Sequence, residues 1–428
     1  MALVLIGSFF LLLLCNVPVA VSMGLSAVFG MLSGGFGLKS VATVFYSAIA
    51  KYTMLAIPFF ILAGIIMDYA GISKRLIRFA DACCGHRKGG LAIVSIVTAC
   101  FFAAISGSGP ATVAALAGIL IPAMVKHGYN KNFATAVIAS AGGIGMIIPP
   151  SIPFVIYAML AEVSVGTMFI AGIVPGILFG VAYGIASLFC LKKDPNVVSE
   201  SKAGGKERWE AFKDAFWGLL SPVIILGGIY GGFFTPTEAS GVAVVYGLFV
   251  GLFIYKEIKW SEIGKIFVEA CASSAVIMFI MGAAGAFTWI LTTSGLAGQM
   301  SEVLLSISGN RNVILLVITI IFLIAGCFVD SASGFYLLMP ILLPVVKDIG
   351  LNLYAFGVLA TANFAIGQIT PPVGSNLFVA CNVAKISMKD LCSKIGPFII
   401  AGVVCLLIMT YFPQIITFLP SLMGMNIG

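Results

Sequence analysis

The sequence predicts an all-α membrane protein made of two inverted-topology repeats, each holding a re-entrant helical hairpin and a broken transmembrane helix. Three observations carry this. First, the chain has 428 residues, of which 61% are hydrophobic and only 9% charged, where a soluble domain carries about 25% charged residues. Second, its apolar runs are long and do not alternate, which excludes a β-barrel. Third, Ile144-Gly145-Met146-Ile147-Ile148-Pro149-Pro150 returns 222 residues later as Ile366-Gly367-Gln368-Ile369-Thr370-Pro371-Pro372. The same offset links Pro122 to Pro344, Gly128 to Gly350 and Pro175 to Pro397. Four markers in one register indicate an internal duplication, with a Gly/Pro-broken hydrophobic segment in each copy. Paired breaks of this kind point to the binding site of a secondary transporter. Backbone unwound at membrane depth must be buried in protein or line a cavity, because lipid offers it no hydrogen bonds.

Taken in order, apolar runs predict spans at 2–16, 17–33, 52–70, 133–160, 167–191, 214–231, 238–255, 267–292, 353–384 and 396–416. The run from Leu3 to Leu14 has no preceding basic residue and no clean A-x-A site, so it reads as a retained helix and not a cleaved signal peptide. Stretches 38–51 and 256–267 mix charge with apolar residues and read as interfacial helices. Regions 89–126 and 311–347 are each too long for one span. They break at Ser106-Gly107-Ser108-Gly109-Pro110 and at Asp330-Ser331-Ala332-Ser333-Gly334, which predicts two hairpins.

Charge sets the orientation. Loops 72–88, 126–132, 192–213, 256–265 and 385–394 hold 19 of the 23 Lys/Arg, and the rest are Lys39, Lys51, Arg311 and Lys347. Basic loops stay cytoplasmic. The first hairpin therefore opens to the cytoplasm, the second to the periplasm, and both termini are periplasmic. Trp209 and Trp260 flank spans as interface anchors. Loop 192–213 is the polar cytoplasmic linker between the halves.

The polar residues at the breaks carry the chemistry. Two consecutive prolines free several backbone carbonyls. Freed carbonyls and hydroxyls are hard oxygen ligands that suit a small cation such as Na⁺. One Na⁺ is expected at Ser106 and Ser108 with carbonyls near Gly145 and Ile148. A second is expected at Ser331 and Ser333 with Gly367 and Thr370. The second copy is the more polar, with Thr370, Gly374, Ser375 and Asn376 where the first has Ile148, Ile152, Pro153 and Phe154. An acidic substrate is therefore expected near Ser331, Ser333, Ser375 and Asn376, with Pro150 and Ser151 closing the other wall. Asp330, an acid inside an apolar region, is a supporting candidate, expected to turn toward the cation, the backbone of its own hairpin or a helix cap, and not toward the substrate. Glu238 is a second supporting candidate, although Thr235-Pro236-Thr237-Glu238 also reads as a helix cap.

The SGSGPAT hairpin at 106–112, the IIPPS break at 147–151, TPTEA at 235–239 and the TPPVG break at 370–374 together resemble the large membrane subunit of tripartite ATP-independent periplasmic transporters, the DctM/SiaM type. The resemblance covers essentially the whole chain. It implies an elevator-type transporter, Na⁺ coupling and no organic cofactor. It also implies a small membrane subunit as a separate chain and a periplasmic substrate-binding protein that delivers an organic acid. Sialic acid is favoured over a C4-dicarboxylate. On this frame, 1–51 are scaffold helices and the interfacial arm of the first repeat, and 52–191 its transport part with hairpin 89–126. After the linker, 214–267 are scaffold helices and the arm of the second repeat, and 268–428 its transport part with hairpin 311–347. The bacterial inner membrane is the expected location.

Other functions fit less well. A passive channel needs a continuous polar pore, whereas the polar residues cluster at two breaks. An ion-coupled anion symporter working without a binding protein is a further alternative. A membrane enzyme has little to build on: H-E-x-x-H and G-x-S-x-G are absent, the ten cysteines form no ligand spacing, and His86 and His127 lie in basic loops. The basic residues sit in short loops between spans, so the net charge of +7 does not indicate nucleic acid.

Overall fold

The computed structural model describes residues 1–86, 89–192, 197 and 203–427. In the first half, α1 (Ala2–Leu14) and α2 (Val19–Ser33) lead into α3 (Leu38–Ile49). A 3₁₀ turn, Tyr52–Leu55, runs into α4 (Ala56–Tyr69), and α5 (Ile72–Cys84) follows. The hairpin arms α6 (Gly90–Ser106) and α7 (Gly109–Lys126) come next. The broken pair α8 (Lys131–Ile144) and α9 (Ile152–Ala161) precedes the long α10 (Val165–Leu191). The second half has α11 (Gly205–Tyr230), α12 (Pro236–Phe249), which continues as π-helix over Val250–Ile254, and α13 (Ile263–Thr293). Then come α14 (Leu296–Ser306), hairpin arms α15 (Arg311–Phe328) and α16 (Ser331–Asp348), the broken pair α17 (Leu353–Gly367) and α18 (Ser375–Ala384), α19 (Met388–Tyr411) and α20 (Gln414–Leu422).

No strand occurs among the described residues, and eight of their helical segments are long and apolar enough to cross a bilayer. The 222-residue register holds in the structure. Helices α7 and α16 begin at Gly109 and Ser331, and α8 and α17 at Lys131 and Leu353. Both breaks contain a cis proline pair, Pro149–Pro150 and Pro371–Pro372.

Several boundaries differ from expectation. Residues 72–84 form an amphipathic helix and not a loop, because Ile72, Leu76 and Ala80 recur at helical spacing on a buried face. Helix α14, between the span at 267–292 and the second hairpin, went unpredicted for the same reason. The expected arm at 256–267 is no separate helix. A 3₁₀ turn at Trp260–Glu262 leads straight into the 31-residue α13, roughly 46 Å long at 1.5 Å per residue. The expected linker ends early, since α11 starts at Gly205, and residues 193–196 and 198–202 of it lie outside the described residues. The first two expected spans are helices of 13 and 15 residues, short of the ~20 that cross a bilayer upright.

The halves interlock. Return arm α7 of the first hairpin packs on α18 of the second broken helix, and return arm α16 packs on α9 of the first. Helices α10 and α19 also pack across the two copies. In the first turn of α5, Arg75 joins three segments. It pairs with Asp214 of α11 at 3.2 Å and Glu257 at 3.1 Å, and its guanidinium lies 3.9 Å over the Tyr255 ring.

Candidate functional site

The first hairpin tip is a two-residue turn. Gly107 adopts φ +62°, a left-handed conformation that glycine takes without strain, and Ser108 is extended. Pro110 then sits in the first turn of α7, where its missing N–H costs nothing. The turn gathers oxygens. Ser106 Oγ lies 2.9 Å from Thr112 Oγ1, Thr112 Oγ1 donates to Ser108 O at 2.8 Å, and Ser106 and Thr112 are buried.

The first break faces this tip. Ile152 N donates to Gly107 O at 3.2 Å. A Cβ on Gly145 would stand 2.6 Å from Thr112 Oγ1 and 3.0 Å from Ser108 O. The tip and the break thus converge on one cluster of hydroxyl and carbonyl oxygens. Ser151 is committed elsewhere: it caps α9 by accepting from Phe154 N and donates to Met146 O at 2.5 Å.

The second copy repeats the frame with other chemistry. Gly374 N, the counterpart of Ile152 N, donates to Cys327 O at 3.3 Å, two residues before the position that matches Gly107. Gly367 lies directly on Gly326, and Thr370 Oγ1 donates back to Ile366 O at 2.7 Å. Asp330 caps α16. Its carboxylate accepts from Ala332 N at 2.9 Å, Ser333 N at 3.3 Å and Ser333 Oγ at 2.6 Å. It therefore turns to its own hairpin.

Two adjoining cavities meet at the tips. The smaller, about 190 Å³, lies between the hairpins and is lined by Ser108, Gly109, Ile152, Asp330, Ser331 and Gln368 among others. The larger, about 460 Å³, shares Ser108, Ile152 and Ile277 with it and runs along α4, α7 and α13 past Asp68 and Glu269. Both carboxylates there are engaged: Ser73 Oγ donates to Asp68 at 2.7 Å and Tyr69 OH to Glu269 at 2.9 Å.

The expected residues are brought together unevenly. Ser106, Ser108 and Gly145 meet at the first tip, where Ile148 follows at the break. Ser331 lines the central cavity, while the Ser333 hydroxyl is held by Asp330. Asn376 is fully buried, with its Nδ2 directed at Ala139 O at 3.3 Å. Ser375 Oγ is buried without a hydrogen-bond partner, and Pro150 lies against Gly107. Glu238 does not belong to this group. It completes a capping box with Thr235 at the start of α12 and is exposed. Two residues beyond the expected set stand out. Thr112 was legible as the hydroxyl one helical turn after Ser108. Gln368 was legible as the one long polar side chain inside the second break.

Residues 6–415 match the model of the family described as "Tripartite ATP-independent periplasmic transporter, DctM component". The chain is 42% identical over 413 residues to an isethionate TRAP transporter permease protein, DctMQ, of Oleidesulfovibrio alaskensis. That match covers 96% of this chain and 65% of the relative's length. It is 40% identical to the C4-dicarboxylate TRAP transporter large permease protein DctM of Vibrio cholerae, covering 96% of each. It is 35% identical to the sialic acid TRAP transporter large permease protein SiaM of Vibrio cholerae, again covering 96% of each. Among solved structures, the YdaH transporter of Alcanivorax borkumensis has a similar fold, with a TM-score of 0.62 at 15% identity over 89% of this chain and 90% of that one.

Proposed function

We propose, from the premise that this chain belongs to the DctM component family of tripartite ATP-independent periplasmic transporters, that it is the large membrane subunit of a Na⁺-driven organic-acid importer. Family membership makes it a transporter subunit and not an enzyme. One observation carries the coupled reading: two hairpin tips and two helix breaks, in one register, converge on a single cavity between the halves.

Na⁺ binds first at Ser106 and Ser108 with the carbonyls of Gly145 and Ile148, joined by Thr112. The convergence of hydroxyl and carbonyl oxygens there supports this site. The second Na⁺ lies at the Gly367–Thr370 break, with Ser331 and Ser333 on the facing hairpin. The organic acid occupies the central cavity, where bound Na⁺ offsets its charge. Binding of the two is then cooperative, by about 1–3 kcal/mol. A periplasmic binding protein delivers the acid and a small membrane subunit completes the complex, in the bacterial inner membrane with both termini periplasmic. The relatives are named for isethionate, C4-dicarboxylates and sialic acid, so the proposed substrate class is the organic acid, and sialic acid is one arm of the test.

Uptake into proteoliposomes holding the complete complex tests the reading, with and without a Na⁺ gradient and with and without the binding protein. Accumulation that needs both supports it. Uptake that runs down the acid's own gradient without Na⁺ would make the protein a passive pore.

A further inference from the structure

The two hairpin tips that wall the central cavity are electrostatically unlike. Helix α16 begins with a carboxylate cap, and Asp330 already takes its Ala332 and Ser333 amides. Helix α7, which is 18 residues long, has no side-chain cap. Pro110 has no N–H and Thr112 N is taken by Ser108 O. The amides of Gly109, on the smaller cavity, and Ala111, on the larger, are left for a ligand. An uncapped N-terminus of this length attracts an anion, whereas the Asp330 carboxylate repels one.

A second, independent feature faces the same tip. Gln368 lines the cavity and is 4% exposed, and its Oε1 has no hydrogen-bond partner. That oxygen stands 2.7 Å from where a Cβ on Gly109 would be. A buried amide oxygen left unpaired is destabilising, so this one awaits a donor. The first copy has Met146 at the matching position, so only one wall of the cavity carries the amide.

We propose that the substrate's acidic group sits on the first hairpin, at the α7 N-terminus, and that Gln368 reads a hydroxyl on the same molecule. The substrate class is therefore a hydroxylated organic acid. This rests on the organic-acid reading above and moves the acid from the second hairpin, where sequence polarity pointed, to the first. A hydroxyl satisfies Gln368 Oε1, whereas the unsubstituted acid leaves it buried and unpaired. A site built this way discriminates strongly against the analogue lacking the group.

Matched pairs test it by equilibrium binding to the purified membrane complex in Na⁺ buffer. The probes are L-malate against succinate, and 2-hydroxyethanesulfonate against ethanesulfonate. The hydroxylated member of the pair that binds should do so about tenfold tighter or more. Gln368→Met installs the side chain the first copy uses and should compress that ratio to about twofold, through weaker binding of the hydroxylated member. Asp330→Asn keeps a capping side chain but removes the charge, and should tighten acid binding. Equal affinities within a pair in the wild type, or a preference that survives Gln368→Met, overturns the inference while leaving the organic-acid function standing. Acid binding that weakens in Asp330→Asn would show that the carboxylate does not repel the acid, and overturns this placement of it. Failure of every acid to bind, sialic acid included, overturns the function and this inference together. The wild-type comparison needs no variant, so the test holds even if Gln368→Met fails to fold.

Discussion

Substituting Gly367 with alanine tests whether the second break is as closely packed as the fold requires. A Cβ at this position would stand 2.5, 2.6 and 2.8 Å from the carbonyl carbon, Cα and oxygen of Gly326 on the entering arm α15. Carbon atoms rest at about 3.5–4.0 Å, so the arm must retreat by about 1 Å. All three obstructing atoms are backbone, and no side chain can swing away. Overpacking of this kind costs about 1–3 kcal/mol. Alanine's better helix propensity returns up to about 1 kcal/mol, which still leaves a net loss of up to about 2 kcal/mol after the full return. Gly118→Ala, where nothing lies within 4 Å, is the control and should be neutral or slightly stabilising. Thermal unfolding of the detergent-solubilised protein by intrinsic fluorescence compares the two. Equal melting temperatures for Gly367→Ala and wild type would show that arm and break do not touch, and the second site would lose its frame.

Three further outcomes are expected. Ser108→Ala, Thr112→Val and Thr370→Ala should each raise the Na⁺ concentration for half-maximal uptake by about tenfold, the cost of about one lost polar contact; unchanged Na⁺ activation in all three would remove both cation sites. Thr235→Ala should lower stability by about 1 kcal/mol through its lost cap yet keep Na⁺ dependence, and a shift in Na⁺ activation would bring the Thr235–Glu238 pair back into the transport machinery. Single cysteines at Lys74 and Lys347, both exposed, should label from opposite sides in a cysteine-free background, and labelling from the same side would rule out inverted repeats.

The breaks were legible because proline and glycine act locally. Pro149-Pro150 and Pro371-Pro372 interrupt a helix whatever surrounds them, and their spacing exposes the duplication. The helices α5 and α14 were not legible as such, because charge or polarity beside short apolar stretches reads as loop until a partner surface is known. For α5 that surface is α11, with Arg75 on Asp214. The site divides along the same line. The oxygens near Ser106 and Ser108 lie within one turn of chain, so sequence places them together. The position of Gln368 against Gly109 joins residues 259 apart, and no local pattern encodes it. Polarity alone put the acid beside Ser331 and Ser333. The Asp330 cap was itself legible as an alternative; its consequence, that the amides there are already taken, needed the geometry.

The crossed packing of α7 on α18 and of α16 on α9 has a mechanical consequence. Each hairpin's return arm belongs to one copy and packs on the broken helix of the other. If the first tip lifts, it pulls on the stub of helix that follows the second break, and the reverse also holds. Packing of this kind would make the two tips move as opposite ends of a seesaw and not as two doors. An ion proposed at one tip would then also bear on the helix that packs against the other, so that one filled site would be felt across the cavity without a separate relay.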